Sequence, residues 1–99
     1  MNNKDKQLIA DYMELIFNPA RMSLYEYKDG REFKFNSTDA SFCVQEMQKR
    51  GDDYVKFIKH AYDMAFDDGK MQFHTVTAWL FNAENFFNAM AAWIKEGKK

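Results

Sequence analysis

Three sets of side chains in this sequence could do chemistry: a lone thiol, two histidines with carboxylates nearby, and a run of rings interleaved with cations. Cys43 would act as a nucleophile if a base or a positive environment favoured its thiolate. It falls on the stripe Ala40, Cys43, Val44 and Met47, and a free cysteine on an apolar helical stripe reads as core. His60, Asp63 and Asp67 recur at i, i+3 and i+7, a spacing that brings part of a metal shell to one helix face. A solvated polar stripe gives the same spacing, and it is the reading we take. His74, beside Gln72, has no partner near it in the sequence. No Walker loop, dinucleotide turn, nucleophile elbow or paired-cysteine motif is present, and four glycines give little material for a phosphate cradle. The expectation is a non-enzymatic protein with no catalytic, metal-binding or cofactor-binding residue and no cofactor.

The rings invite a nucleic-acid reading. Tyr25, Tyr27, Phe33 and Phe35 alternate with charged residues, and Lys28, Arg31 and Lys34 lie among them. Such a face could stack on bases and neutralise phosphates. Glu26, Asp29 and Glu32 interleave with the same cations, which leaves little local charge for a phosphate backbone. The whole chain repeats that balance: 14 Lys and Arg against 15 Asp and Glu give a net charge of -1. A nucleic-acid interface on this hairpin is therefore the alternative reading, and one-sided burial of an antiparallel sheet is the primary one.

The elements that must position these residues follow from periodicity. Leu8, Ile9, Tyr12, Leu15 and Ile16 predict a helix over 5–17, ended by Asn18-Pro19, because proline disfavours helix in the residue before it. From 23 to 36 the period changes to two, predicting a β-hairpin. A two-residue Asp29-Gly30 turn would set rings against charges. With Asp29-Gly30-Arg31 as the loop, Tyr27 meets Phe33 and Tyr25 meets Phe35. With Lys28-Asp29-Gly30 the glycine suits a left-handed position, but Glu26 opposes Glu32. Ser37-Thr38-Asp39 offers capping oxygens for a helix over 38–50 closed by Gly51. A polar stripe of Lys56, Lys59, His60 and Asp63 opposite Tyr54, Phe57, Ile58 and Ala61 predicts a helix over 53–66. The β-branched run Thr75-Val76-Thr77 predicts a strand over 70–78, and Asn82 caps a last helix over 82–96 with the stripe Ala83, Phe86, Phe87, Met90, Trp93 and Ile94. The fold class is α+β: about four helices packed on an antiparallel sheet of about three strands, in a single domain spanning 1–99.

Ten Phe, five Tyr and two Trp in 99 residues are an excess, since each ring buries roughly 150–250 Å². Phe42, Tyr62, Phe66, Trp79 and Phe81 lie off the strict stripes or in connectors, as do Phe17, Met22 and Met64. Exposed rings and methionines suit a protein interface, so Phe42, Tyr62, Phe66, Trp79 and Phe81 are the candidate interaction surface for another protein or a second copy. The polar start of the chain, its single cysteine and the absence of a long apolar run lead us to expect a cytoplasmic protein without a membrane partner.

In two places the sequence resembles small bacteriophage proteins of the α/β/α sandwich type: Leu8-Ile9-Ala10-Asp11-Tyr12-Met13, and Glu84-Asn85-Phe86-Phe87-Asn88-Ala89 leading to Trp93-Ile94-Lys95. The resemblance implies strands across 52–67, where periodicity implies helix, and brings no catalytic residues. It implies a phage or mobile-element accessory protein, of which stoichiometric inhibitors of host-defence nucleoproteins, anti-CRISPR proteins among them, are one kind. The partner expected on that basis is a host-defence nucleoprotein complex.

Overall fold

The computed structural model describes residues 1–21, 24–66 and 80–98. In chain order it has α1 (Asn3–Met13), β1 (Ile16–Asn18), a 3-10 turn (Pro19–Arg21), β2 (Leu24–Glu26), β3 (Glu32–Phe33), α2 (Ser37–Lys49), α3 (Asp53–Phe66) and α4 (Ala83–Lys95). The strands form one antiparallel sheet in the order β1-β2-β3. Four helices and a three-stranded sheet among the described residues make the α+β fold expected. The strand assigned to 70–78 lies outside the described residues.

The sheet takes its first strand from residues that periodicity gave to the first helix. That helix stops at Met13 rather than 17 because Glu14 turns left-handed, at φ 55 and ψ 43. The Leu15 N–H then donates to the Ala10 carbonyl at 2.8 Å and the Glu14 N–H to Asp11 at 3.3 Å, a Schellman closure built without glycine. Ile16 and Phe17 are thereby freed to pair with Glu26 and Tyr25, and a β-branched and an aromatic residue suit that strand.

The hairpin settles on the loop Lys28-Asp29-Gly30. Tyr25 pairs with Phe33 and Glu26 with Glu32, Tyr27 N–H donates to the Arg31 carbonyl at 2.8 Å, and Gly30 takes φ 91, which a side chain would resist. The like charges so opposed have other partners: Asn18 Nδ2 donates to Glu26 at 3.3 Å, and Lys34 Nζ lies 3.6 Å from Glu32. Phe17, Tyr25 and Phe33 share the inner face, while Ile16, Glu26 and Glu32 share the outer one.

Asn36, not the Ser37-Thr38-Asp39 run, caps α2 by accepting from the Asp39 N–H at 2.9 Å. Asn2 caps α1 and Asn82 caps α4 in the same way. Residues 53–66 are helical, as periodicity requires and unlike the strands the resemblance implied.

The core is organised on α4. Phe86, Phe87, Met90 and Trp93 of the stripe read from the sequence are buried, and Ala89 and Ala91 are buried beside them, while the stripe's Ala83 and Ile94 are half-buried. Phe87 meets Phe33 and Phe35 of the hairpin end at 5.8 and 5.2 Å between centroids. Phe57 of α3 meets Phe86 at 5.1 Å and Trp93 at 5.7 Å. Tyr12 of α1 meets Trp93 at 5.8 Å, and Lys95 Nζ lies 2.6 Å from Asp5. Edge-to-face pairs of this kind add about 0.5–1.5 kcal/mol each beyond their buried area.

Candidate functional site

The hairpin presents its rings to the core. Phe33 is 2% and Tyr25 7% exposed, so neither has a free face for a base. Tyr25 donates from its hydroxyl to Gln7 of α1 at 3.0 Å, and Phe35 packs on Phe33 at 4.7 Å. The three cations of the alternative nucleic-acid face each lie near a carboxylate: Lys28 near Glu14 at 3.8 Å, Arg31 near Asp29 at 2.8 Å, and Lys34 near Glu32. The Arg31 N–H, followed by its guanidinium, holds the Asp29 carboxyl below its ordinary range, as an Asx turn does when its acceptor is ionised.

Asp39 is the buried carboxylate that the sequence reading did not find. It is 4% exposed and accepts from the Tyr27 hydroxyl and from the Lys34 N–H, both at 2.7 Å. Its place three residues after Asn36 matches a reciprocal capping arrangement, but its carboxylate reaches back to the hairpin instead of to the cap. Burial, then the hydrogen bond to Asp39, raises the Tyr27 phenol well above its ordinary 10.0. Tyr12 is held likewise: burial and a 2.8 Å hydrogen bond to Asp53 raise it, and the Arg50 guanidinium stacks 4.2 Å over its ring.

Cys43 is wholly buried, and burial pushes its thiol far above the ordinary range, the opposite of what a nucleophilic cysteine needs. His60 departs from the solvated stripe assigned to it. Its side chain is 14% exposed, with Nε2 3.9 Å from Glu96, and Nδ1 is buried without a hydrogen-bond partner among the described residues. It is covered because α3 packs against α4, which a single helix's periodicity does not report. Asp63 stays exposed, while Asp67 and His74 lie outside the described residues. Among the described residues no three His, Cys, Asp or Glu side chains converge as metal ligands would.

The candidate interaction surface divides. Tyr62 and Phe81 both line a groove of about 430 Å³ between α2, α3 and the start of α4, with Val44, Tyr54, Ile58 and Leu80 in its wall. Phe81 is 78% exposed. Phe42 instead packs on Tyr27 at 5.7 Å beneath the Arg31 guanidinium at 5.2 Å, and lines a separate cleft with Met13 and Gln45. Trp79 and the Phe66 side chain lie outside the described residues. No family model, curated protein or solved structure matches this chain. The groove and its exposed ring must therefore be read from their own chemistry.

Two further exposed residues escaped the sequence reading. Val55 is 68% exposed, and Ile16, placed on the first helical stripe, is 50% exposed on the outer sheet face. The signal available for Ile16 was its β-branch next to Phe17 ahead of Asn18-Pro19, which favours a strand. No helix of the described residues is long and apolar enough to cross a membrane.

Proposed function

We propose that the chain is a non-enzymatic protein-binding module that takes an apolar helix face of a partner protein into the α2–α3 groove. The observation that carries this is Phe81: a phenylalanine 78% exposed at the mouth of a groove walled by aliphatic and aromatic side chains. Burying such a ring against a partner yields roughly 1.5–3 kcal/mol, and a groove between two helices suits the ridge of a third. The narrower form of the proposal is stoichiometric inhibition of a host-defence nucleoprotein in the host cytoplasm, where a free thiol such as Cys43 persists. Its support is the pair of segments that resemble phage proteins. Ile9, Ala10 and Tyr12 of the first and Phe86, Phe87, Ala89 and Trp93 of the second are core residues, so the likeness concerns the scaffold, and the partner is set by what the scaffold exposes.

Titration of the purified chain into RNA-guided defence nucleases of a candidate host, read by calorimetry and by target cleavage, tests both forms. Phe81→Ala is expected to weaken binding about tenfold or more with the unfolding midpoint unchanged. Full binding by both Phe81→Ala and Tyr62→Ala would remove the groove from the interface. Concentration-dependent self-association abolished by the same substitutions would make the partner a second copy.

A further inference from the structure

A cleft of about 470 Å³, sharing no lining residue with the Tyr62 and Phe81 groove, opens between α1 and the ring-bearing face of the sheet, a volume within the roughly 300–1,000 Å³ of small-molecule sites. Its floor is aromatic. Phe17, 47% exposed, leans on Tyr25 at 5.2 Å between centroids, and Phe35 closes the inner end.

Phe35 sits at φ 56, a left-handed conformation that costs a bulky residue about 1–2 kcal/mol. Its contacts with Tyr25, Phe33 and Phe87 offset that cost and fix the ring beneath α1. Above the ring stands Lys6, half-buried, with Nζ 5.6 Å from the centroid of Phe35. Among the described residues no carboxylate lies within ion-pair distance of Lys6.

Lys34 lines the same cleft; its side chain is 63% exposed and 3.6 Å from Glu32. Gln7 has both ends of its amide engaged, accepting from Tyr25 and donating to Asp11 at 2.8 Å, and so forms a fixed wall. The cleft thus holds two ammonium groups against one carboxylate, over an aromatic floor with one ring partly free.

We propose that this cleft binds a small anion carried on a planar ring, with Lys6 and Lys34 meeting the anion and Phe17 stacking under the ring. The phosphate of a nucleotide and the carboxylate of an aromatic acid share that chemistry. The site is remote in composition from the Tyr62 and Phe81 groove, and it stands or falls independently of it.

Backbone-amide NMR titration with adenosine monophosphate, indole-3-acetate, adenosine, indole and inorganic phosphate tests the proposal. Saturable shifts confined to Asn3, Lys6, Gln7, Phe17 and Lys34 are expected with at least one of the two ring-bearing anions, and the tighter of the two identifies its source as phosphate or carboxylate. Adenosine, indole and free phosphate are each expected to bind about tenfold or more weakly, and Lys6→Gln to weaken the anion about tenfold with an unchanged unfolding midpoint. The proposal is overturned if neither anion saturates, if the neutral ring or free phosphate binds as tightly as the ring-bearing anion, or if Lys6→Gln binds like the parent chain.

Discussion

Asp39 joins the hairpin to α2 through single atoms. One oxygen accepts the Tyr27 hydroxyl and the other the Lys34 N–H, so Asp39→Ala strands two donors near a buried position. A loss of about 2–3 kcal/mol is expected, read as a lower urea midpoint, and Tyr27→Phe should cost less because it leaves the Lys34 contact intact. The two raised phenols make a second prediction. Tyr12 and Tyr27 hold their protons more tightly in the folded chain than in the unfolded one, whose tyrosines titrate near 10.0. Above that pH the unfolded state binds fewer protons than the native state, so the stability they contribute, complete below 10.0, falls as pH rises past it. Denaturant midpoints measured across the alkaline range should decline, and the decline should flatten in a Tyr12→Phe, Tyr27→Phe double variant.

Among the elements, α1 and the hairpin show local preference yielding to pairing. Apolar spacing carries through Leu15 and Ile16, yet the helix closes at Met13 because Glu14 accepts a left-handed backbone that favours glycine. Glu14→Gly should therefore stabilise the chain by about 0.5–1 kcal/mol, since the exposed Lys28 contact it gives up at 3.8 Å is of the kind that contributes little. A thermal melt shifted downward instead would mean that the closure is not strained. In the hairpin, the left-handed Gly30 selects the loop, and the opposed Glu26 and Glu32 are accommodated by Asn18 and Lys34 rather than by each other.

For the whole molecule, α4 is the shared wall: α1, α2, α3 and the hairpin rings all close on it. Removing Phe87, which is fully buried and touches Phe33, Phe35 and Phe86, should cost about 3–5 kcal/mol as Phe87→Ala. That is a large part of the 5–15 kcal/mol of a typical domain, and it should appear as one cooperative unfolding transition at a much lower midpoint. Phe81→Ala, by contrast, should change stability by no more than about 0.5 kcal/mol. The contrast separates rings that hold the fold from the ring offered to a partner, within a single aromatic-rich composition.

The α+β class, the inward stripe of α4, the helical 53–66 segment and the ring-bearing hairpin face were legible in the sequence, because periods of 3.6 and 2 are local properties that survive whichever way the elements pack. The tertiary structure decided the rest. Where α1 stops depends on Ile16 and Phe17 finding Glu26 and Tyr25 across the sheet. The hairpin register depends on a left-handed Gly30 together with Asn18 and Lys34 meeting the opposed Glu26 and Glu32. Asp39 is engaged by the hairpin that precedes its helix, His60 is covered by α4 far along the chain, and of the surplus rings, Phe42 is drawn under Arg31 while Phe81 is left exposed. Each of these turns on which surfaces meet, and contacts between distant segments have no period for a single stretch of sequence to display.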